Sequence, residues 1–476
     1  MKKFMKLFII VSMMILYRNV SYAKIVLPQI ISDNMVLQQN TDARLWGMAD
    51  SQAKVTVWSS WNNKTTKCCS DSDGRWLMSI PTPSAGGPYE IRISSGKDKV
   101  ILKDVLIGEV WLCSGQSNMG MPISGYEHQP VEGAADLIMK AKPAIPIRIC
   151  NVQASLEKVP LEFPKTAKWE KNTPEAVSKA SATAYFFAKY LNEVLDVPVG
   201  IITAYCGGTW IEQWLDPKTL EKYADLLPKG KLSKREQGML NTIGQHYNGK
   251  IAPIEGYTIK GEIWYQGENN IPHPDVYEVL FPAYVQMMRD NWQQGEFPFY
   301  YVQIAAHQYR DAQGISAAIL REVQLKSLKR IPNSGMAVVI DDKPLTIHPH
   351  QKEKVGQRLA YQALCKTYGC QWINPDGPVF KSMEVKGATA YLEFDTDAKR
   401  IAPLGYDIPG FEIAGEDKVF YPAKAWIVQR LNRVLVTSPE VKNPVAVRYA
   451  YRNFPDSGLY NGYGIPASPF RTDNWE

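Results

Sequence analysis

From Val105 to Cys113 the chain reads Val-Leu-Ile-Gly-Glu-Val-Trp-Leu-Cys, an apolar run with one charge. It lacks the alternation of a half-exposed strand. A strand of this composition is covered on both faces, as in a parallel sheet flanked by helices. The pattern then repeats. Strands are predicted at Val197–Tyr205, Tyr257–Tyr265, Phe299–Ala306 and Met336–Ile340, with helices near 132–142, 181–195, 275–292, 315–329 and 350–366. In the second helix Ala184, Phe187, Ala188 and Leu191 share one face. Such alternation over 105–374 predicts an α/β domain built on a parallel sheet. Residues 216–246 hold Lys and Leu with little strand character, and read as an insertion carrying a helix or two.

Open sheets of this kind put their ligands at the carboxyl ends of the strands. There the apolar run gives way to Ser114-Gly115-Gln116-Ser117-Asn118-Met119. Ser117 stands on the turn just past the strand and is a candidate nucleophile if a base lies close. Of six histidines, His348 follows the last predicted strand and opens the last helix, so it shares that edge. His350, two residues on, reads as solvated helix surface.

Four blocks carry a resemblance. They are Gly115-Gln116-Ser117-Asn118-Met119, Cys206-Gly207-Gly208-Thr209-Trp210-Ile211-Glu212-Gln213-Trp214, Trp264-Tyr265-Gln266-Gly267-Glu268-Asn269-Asn270 and Ile347-His348-Pro349. In this order the chain resembles the sialate O-acetylesterase family of the SGNH hydrolases. The resemblance implies an SGNH-type three-layer fold and a serine esterase that removes acetyl groups from sugars without metal or organic cofactor. It selects Ser117 as nucleophile and His348 as base.

The third catalytic member is harder to place. Many SGNH hydrolases carry an acid three residues before the histidine, and many sialate esterases carry one two before it. Leu345 and Thr346 stand at those positions here. Asp341 and Asp342, at the end of the preceding strand, are in reach, and Asp341 is the expected orienting acid. The competing arrangement is a Ser–His dyad oriented by a backbone carbonyl. For the oxyanion, the expected donors are the N–H groups of Ser117 and Gly208 and the side-chain amide of Gln266, with Asn269 as the rival amide. Gln116, Trp210, Glu268 and Asn269 are candidate substrate contacts, Trp214 an alternative pocket wall, and Glu212 reads as structural.

The flanks differ in pattern. Residues 24–104 alternate apolar and polar residues between turn signals such as Asp73-Gly74, and predict a β-sandwich. Residues 375–476 are again β-rich, and the two regions are candidates to pack as one unit. Residues 1–23 read as a secretory signal: Lys2, Lys3 and Lys6, a short apolar core from Leu7 to Tyr17, then Ser21-Tyr22-Ala23. The core is too short to span a bilayer, so the expected location is periplasmic or secreted, with no membrane anchor. Four of the 54 basic residues lie in that leader, and the remainder nearly balance 48 acidic ones. That balance gives no basis for nucleic-acid binding.

Seven cysteines are an odd count for an exported chain. Cys365 and Cys370 are near enough to pair, and Cys113 and Cys206 read as buried thiols. No Cys-x-x-Cys spacing suggests a zinc site. The expected function is a carbohydrate O-acetylesterase acting on sialic acids. The alternatives are an acetylesterase on xylan or another polysaccharide, and a sugar-binding protein with an inactive hydrolase domain. The last is disfavoured by the joint presence of Ser117, His348 and Gly208.

Overall fold

The apolar run is the middle of one 18-residue strand, Asp98–Gly115, and its two ends belong to different sheets. A computed structural model describes residues 24–475 except 154, 230, 345, 397–399, 429 and 431. The leader expected at 1–23 lies outside the described residues. The first half of the long strand pairs antiparallel with Gly86–Ser95, in the amino-terminal β region. Its second half pairs parallel with Val199–Tyr205 on one side and Gly261–Tyr265 on the other. The boundary expected between 104 and 105 therefore falls inside an unbroken strand.

Across the central sheet the order is Ser334–Ala337, Phe299–Val302, Gly261–Tyr265, Asp98–Gly115, Val199–Tyr205, Ile147–Asn151 and Trp169–Lys171. Neighbours are parallel except the last pair. Alternate residues of the long strand feed opposite layers. Trp111 and Cys113 pack with Phe187, Leu191 and Leu359 of helices Ala182–Leu195 and Lys352–Lys366. Val110 and Leu112 share a core with Leu280, Tyr284 and Leu320 of helices Pro274–Trp292 and Ser316–Ser327. The result is a three-layer α/β domain. Ser181 caps the first of these helices, its hydroxyl accepting the Ala184 N–H at 3.1 Å.

The strands Ile147–Asn151 and Trp169–Lys171 have no counterpart in the sequence pattern. The first is short and carries Arg148, whose guanidinium is buried against Asp104 at 3.3 Å. The insertion holds the helices Pro217–Lys222 and Lys234–Leu240.

The two β regions do not merge into one unit. Val55, Val57, Ile91 and Ile93 of the amino-terminal region join the core beneath the central sheet. The carboxyl-terminal sheets close around a core of their own, with Leu392, Ile413, Val434 and Val447. Arg321 fastens that region to the α/β domain. Fully buried, it donates to the carbonyls of Ile304 and Ala305 and to those of Arg452 and Asn453, at 2.8–3.1 Å. All seven thiols are free, Cys365 and Cys370 included. Cys113 is buried, but Cys206 only partly.

Candidate active site

Gly115 ends the long strand with φ +138°, a backbone that side chains rarely adopt, and a Cβ there would lie 2.2 Å from the Tyr265 carbonyl oxygen. The close approach lets the Gln116 N–H reach that same oxygen at 2.9 Å. The chain then turns into the short helix Ser117–Gly120. As the first residue of a helix, Ser117 has an N–H with no intrahelical acceptor. Its Oγ lies 2.9 Å from His348 Nε2.

The other imidazole nitrogen, Nδ1, lies 2.7 Å from Gln129 Oε1. Gln129 sits on a tight loop closed by two bonds between its backbone and that of Tyr126. The Tyr126 hydroxyl donates to the Ser117 carbonyl at 3.1 Å, and its ring meets the imidazole edge-on, 5.0 Å between centroids. Nearby the Glu132 N–H donates to the His350 carbonyl at 3.0 Å, stitching this loop to the histidine loop. The sequence offered no signal for Gln129: it lies in an irregular loop, and an uncharged amide does not advertise the task.

Asp341 does not orient His348. Its carboxylate forms a two-pronged pair with Arg358 at 2.6 and 2.8 Å, with Lys354 at 3.5 Å. Arg358 projects from the last helix back to the strand end and takes the acid first. Thr346, at the family's acid position, braces its own loop: its hydroxyl bonds the N–H and carbonyl of His348, not the ring. The His350 side chain is half exposed and lies beside Glu132 at 3.9 Å.

Burial pushes the His348 pKa down to about 4, with the Lys352 and His307 charges adding to the effect. Lys352 is fully buried and donates to Asn118 Oδ1 at 2.6 Å. The Asn118 amide nitrogen gives to Glu268 Oε1 at 2.5 Å and to the Ile347 carbonyl at 3.1 Å. One asparagine thus ties the serine turn to the third block and to the histidine loop. Burial moves both ionisable ends of this chain toward their neutral forms, Lys352 down to about 7 and Glu268 above the usual carboxylate range.

Among the expected oxyanion donors, Gly208 has φ +71° and open space where a Cβ would stand, while Gly207 faces the Ser117 Cβ. Gln266 is not available. It is fully buried, and its amide nitrogen donates to the Thr209 carbonyl at 3.0 Å and to Asn270 Oδ1 at 2.7 Å. The Asn269 amide instead reaches the Gly208 carbonyl, with Asn269 Oδ1 held by Arg235 at 2.6 Å. An amide nitrogen carries two hydrogens, so Asn269 retains a donor beside Gly208.

The candidate substrate contacts divide. Gln116 turns inward, its Oε1 accepting the Gly267 N–H at 3.2 Å. Trp210, Glu268 and Asn269 line one cavity of about 590 Å³ together with Ile347. Trp214 is fully buried, stacked on His246, and walls no cavity there. Glu212 is buried, with Oε2 accepting from Asn270 at 3.0 Å. Among the described residues no cluster of three or more His, Cys, Asp or Glu side chains is arranged to hold a metal ion.

A three-layer α/β domain with a serine hydroxyl on an imidazole at the carboxyl edge of its sheet has the layout of a hydrolase. A family profile described as carbohydrate esterase, sialic acid-specific acetylesterase, matches residues 107–365. Sialate O-acetylesterases from Homo sapiens and Mus musculus are 28% and 26% identical, each match covering 92% of this chain and 91% and 93% of the relative. The crystal structure of a carbohydrate acetylesterase from Xanthomonas citri superposes with a TM-score of 0.85 at 33% identity, over 95% of this chain and all of that one. The chain belongs to the sialic acid-specific acetylesterase family of carbohydrate esterases, and is a carboxylic ester hydrolase.

Proposed function

We propose that this chain is an exported O-acetylesterase that deacetylates sialic acids through Ser117 and His348. The observation that carries this reading is the 2.9 Å contact between Ser117 Oγ and His348 Nε2, with Nδ1 engaged by Gln129. With Nδ1–H donating to the amide oxygen, Nε2 is the unprotonated nitrogen and accepts the serine proton. Oγ attacks the acetyl carbonyl as Nε2 takes that proton. The carbonyl oxygen becomes an oxyanion facing the N–H groups of Ser117 and Gly208 and the free hydrogen of the Asn269 amide. Collapse breaks the bond to the sugar oxygen, which leaves with the proton from His348. Water, deprotonated in turn by His348, attacks the acetyl-enzyme and releases acetate, restoring the serine.

The relatives named sialate O-acetylesterase support the substrate. A second reading, an acetylated plant or microbial polysaccharide, is favoured by the Xanthomonas citri neighbour, whose description names carbohydrate without sialic acid. Export rests on the basic start, short apolar core and small residues of 1–23.

Acetate release from O-acetylated N-acetylneuraminic acid, measured beside acetylated xylo-oligosaccharides, tests the reading. Higher kcat/KM on the sialic acid is expected. Turnover confined to the xylo-oligosaccharides would replace it with the second reading.

A further inference from the structure

The insertion sends one side chain into the third block. Arg235 is the second residue of the helix Lys234–Leu240. A reciprocal cap fixes where that helix begins: Ser233 Oγ accepts the Glu236 N–H at 3.2 Å, and Glu236 Oε2 accepts the Ser233 N–H at 2.8 Å. Beyond its other end the chain is fastened to the second block. There the Gly244 N–H donates to the Glu212 carbonyl at 3.2 Å, and the Gln213 amide donates to the Thr242 hydroxyl. A short helix tied at both ends offers Arg235 from one place. Its guanidinium donates to Asn269 Oδ1 at 2.6 Å, across 34 positions of sequence.

The two ends of the Asn269 amide therefore meet opposite chemistry. A guanidinium can only donate, and the Gly208 carbonyl on the nitrogen side can only accept. A half-turn of the amide would set donor against donor and acceptor against acceptor, so one orientation survives. The bond to a cation also polarises the amide and strengthens its nitrogen as a donor. The neighbouring Asn270 is fixed by other means. It is fully buried, and its Oδ1 accepts the Ile211 N–H at 3.0 Å and the Gln266 amide at 2.7 Å. Asn269 is only half-buried, and among the described residues Arg235 alone holds its oxygen.

We propose that Arg235 is a positioning residue of the oxyanion hole: it fixes and polarises the Asn269 amide, and through it the Gly208 turn. The insertion then completes the catalytic centre instead of merely covering it. This rests on the oxyanion role given to Asn269 above and extends it to the group that sets the amide. Because Arg235 acts through Asn269, its effect is felt when negative charge develops on the acetyl oxygen, not when substrate binds. The effect is also independent of the sugar, since the oxyanion belongs to the acetyl group.

The test measures kcat and KM on 4-nitrophenyl acetate, which carries no sugar, and on O-acetylated N-acetylneuraminic acid. The proteins are the wild type, Arg235→Ala, Arg235→Lys, Asn269→Ala and the double variant Arg235→Ala with Asn269→Ala. Rates are divided by the fraction of protein that an organophosphate labels to completion, so misfolded chains do not count. Asn269→Ala should lower kcat about a hundredfold or more. Arg235→Ala should lower it about tenfold on both esters with KM little changed, and Arg235→Lys, with one point charge in place of the fork, should recover part. The double variant should be no slower than Asn269→Ala, since Arg235 has nothing left to position. Unchanged kcat in Arg235→Ala, a loss seen only in KM or only on the sugar ester, or losses that multiply in the double variant would each overturn the proposal and leave the Ser117 reading standing. Labelling of Ser117→Ala as complete as that of the wild type would overturn the nucleophile reading, and the proposal with it.

Discussion

His348 presents Nδ1 to Gln129 Oε1 at 2.7 Å, so a neutral amide orients the imidazole that touches Ser117. In hydrolases of this kind a carboxylate at that position fixes the tautomer and stabilises the imidazolium. An amide oxygen can do the first and does little for the second. Burial and the Lys352 and His307 charges then act unopposed, and the imidazole is held neutral down to about pH 4.

That predicts the acid side of the pH profile. A base must be unprotonated, so kcat/KM should stay level as pH falls from neutrality and drop through a limb near 4, below the ordinary histidine value. Gln129→Glu sets an anion at Nδ1, favours the imidazolium and should move the limb to higher pH. Gln129→Ala should lower kcat at least about tenfold, or ~1.4 kcal/mol, through lost orientation. Rate profiles of the three proteins decide it. A limb that stays in place in Gln129→Glu would mean that Gln129 does not face the working imidazole.

Lys352 and Glu268 meet on opposite ends of the Asn118 amide, both buried. Lys352→Met should strand a buried acid and destabilise the fold by about 3 kcal/mol. Lys352→Met with Glu268→Gln should recover part of that loss, because no unpaired charge remains. Urea midpoints of the single and double variants measure the coupling. Strictly additive losses would show that the two groups do not interact.

Much of this architecture is legible in the chain. The long apolar runs at 105–113 and 197–205 must be buried on both faces, and that alone demands helices above and below. Ser117 and His348 meet because both follow strands of one parallel sheet. Other features depend on contacts that periodicity does not encode. Asp341 lies at a strand end near the histidine loop, yet Arg358, 17 residues later, claims it. Gln266 ends an apolar strand and continues inward, where Thr209 and Asn270 satisfy its amide. The edge strand at 147–151 is broken in pattern by Arg148, whose partner Asp104 is distant in sequence. The division at 104/105 reflects a change of pattern from one-sided to two-sided burial, which one continuous strand accommodates.

Arg321 joins the α/β domain to the carboxyl-terminal sheets through four backbone carbonyls. Arg321→Leu leaves those acceptors buried without their donor, at about 1–3 kcal/mol for each group left unsatisfied. Loss of at least about 3 kcal/mol is expected, together with earlier proteolysis within 375–476. Chemical denaturation and limited proteolysis check both. An unchanged midpoint would show that the carboxyl-terminal region docks by its apolar surface alone.

The nucleophile prediction tests the centre of the mechanism. Ser117→Ala removes the attacking oxygen and leaves the N–H groups of Ser117 and Gly208 in place. His348→Ala removes the base and leaves the hydroxyl. If the two act as a unit across their 2.9 Å contact, each substitution should lower ester hydrolysis by about a thousandfold or more. The double variant should be little worse than either. Independent contributions would instead multiply. Intact mass after treatment with an organophosphate should show one adduct on the wild type and none on Ser117→Ala, since only an activated serine is phosphorylated. Gln129→Ala should still form the adduct, more slowly, because the serine and imidazole both remain. Wild-type rates in Ser117→Ala would place the nucleophile elsewhere and remove the basis for the roles given to His348, Gln129 and Asn269.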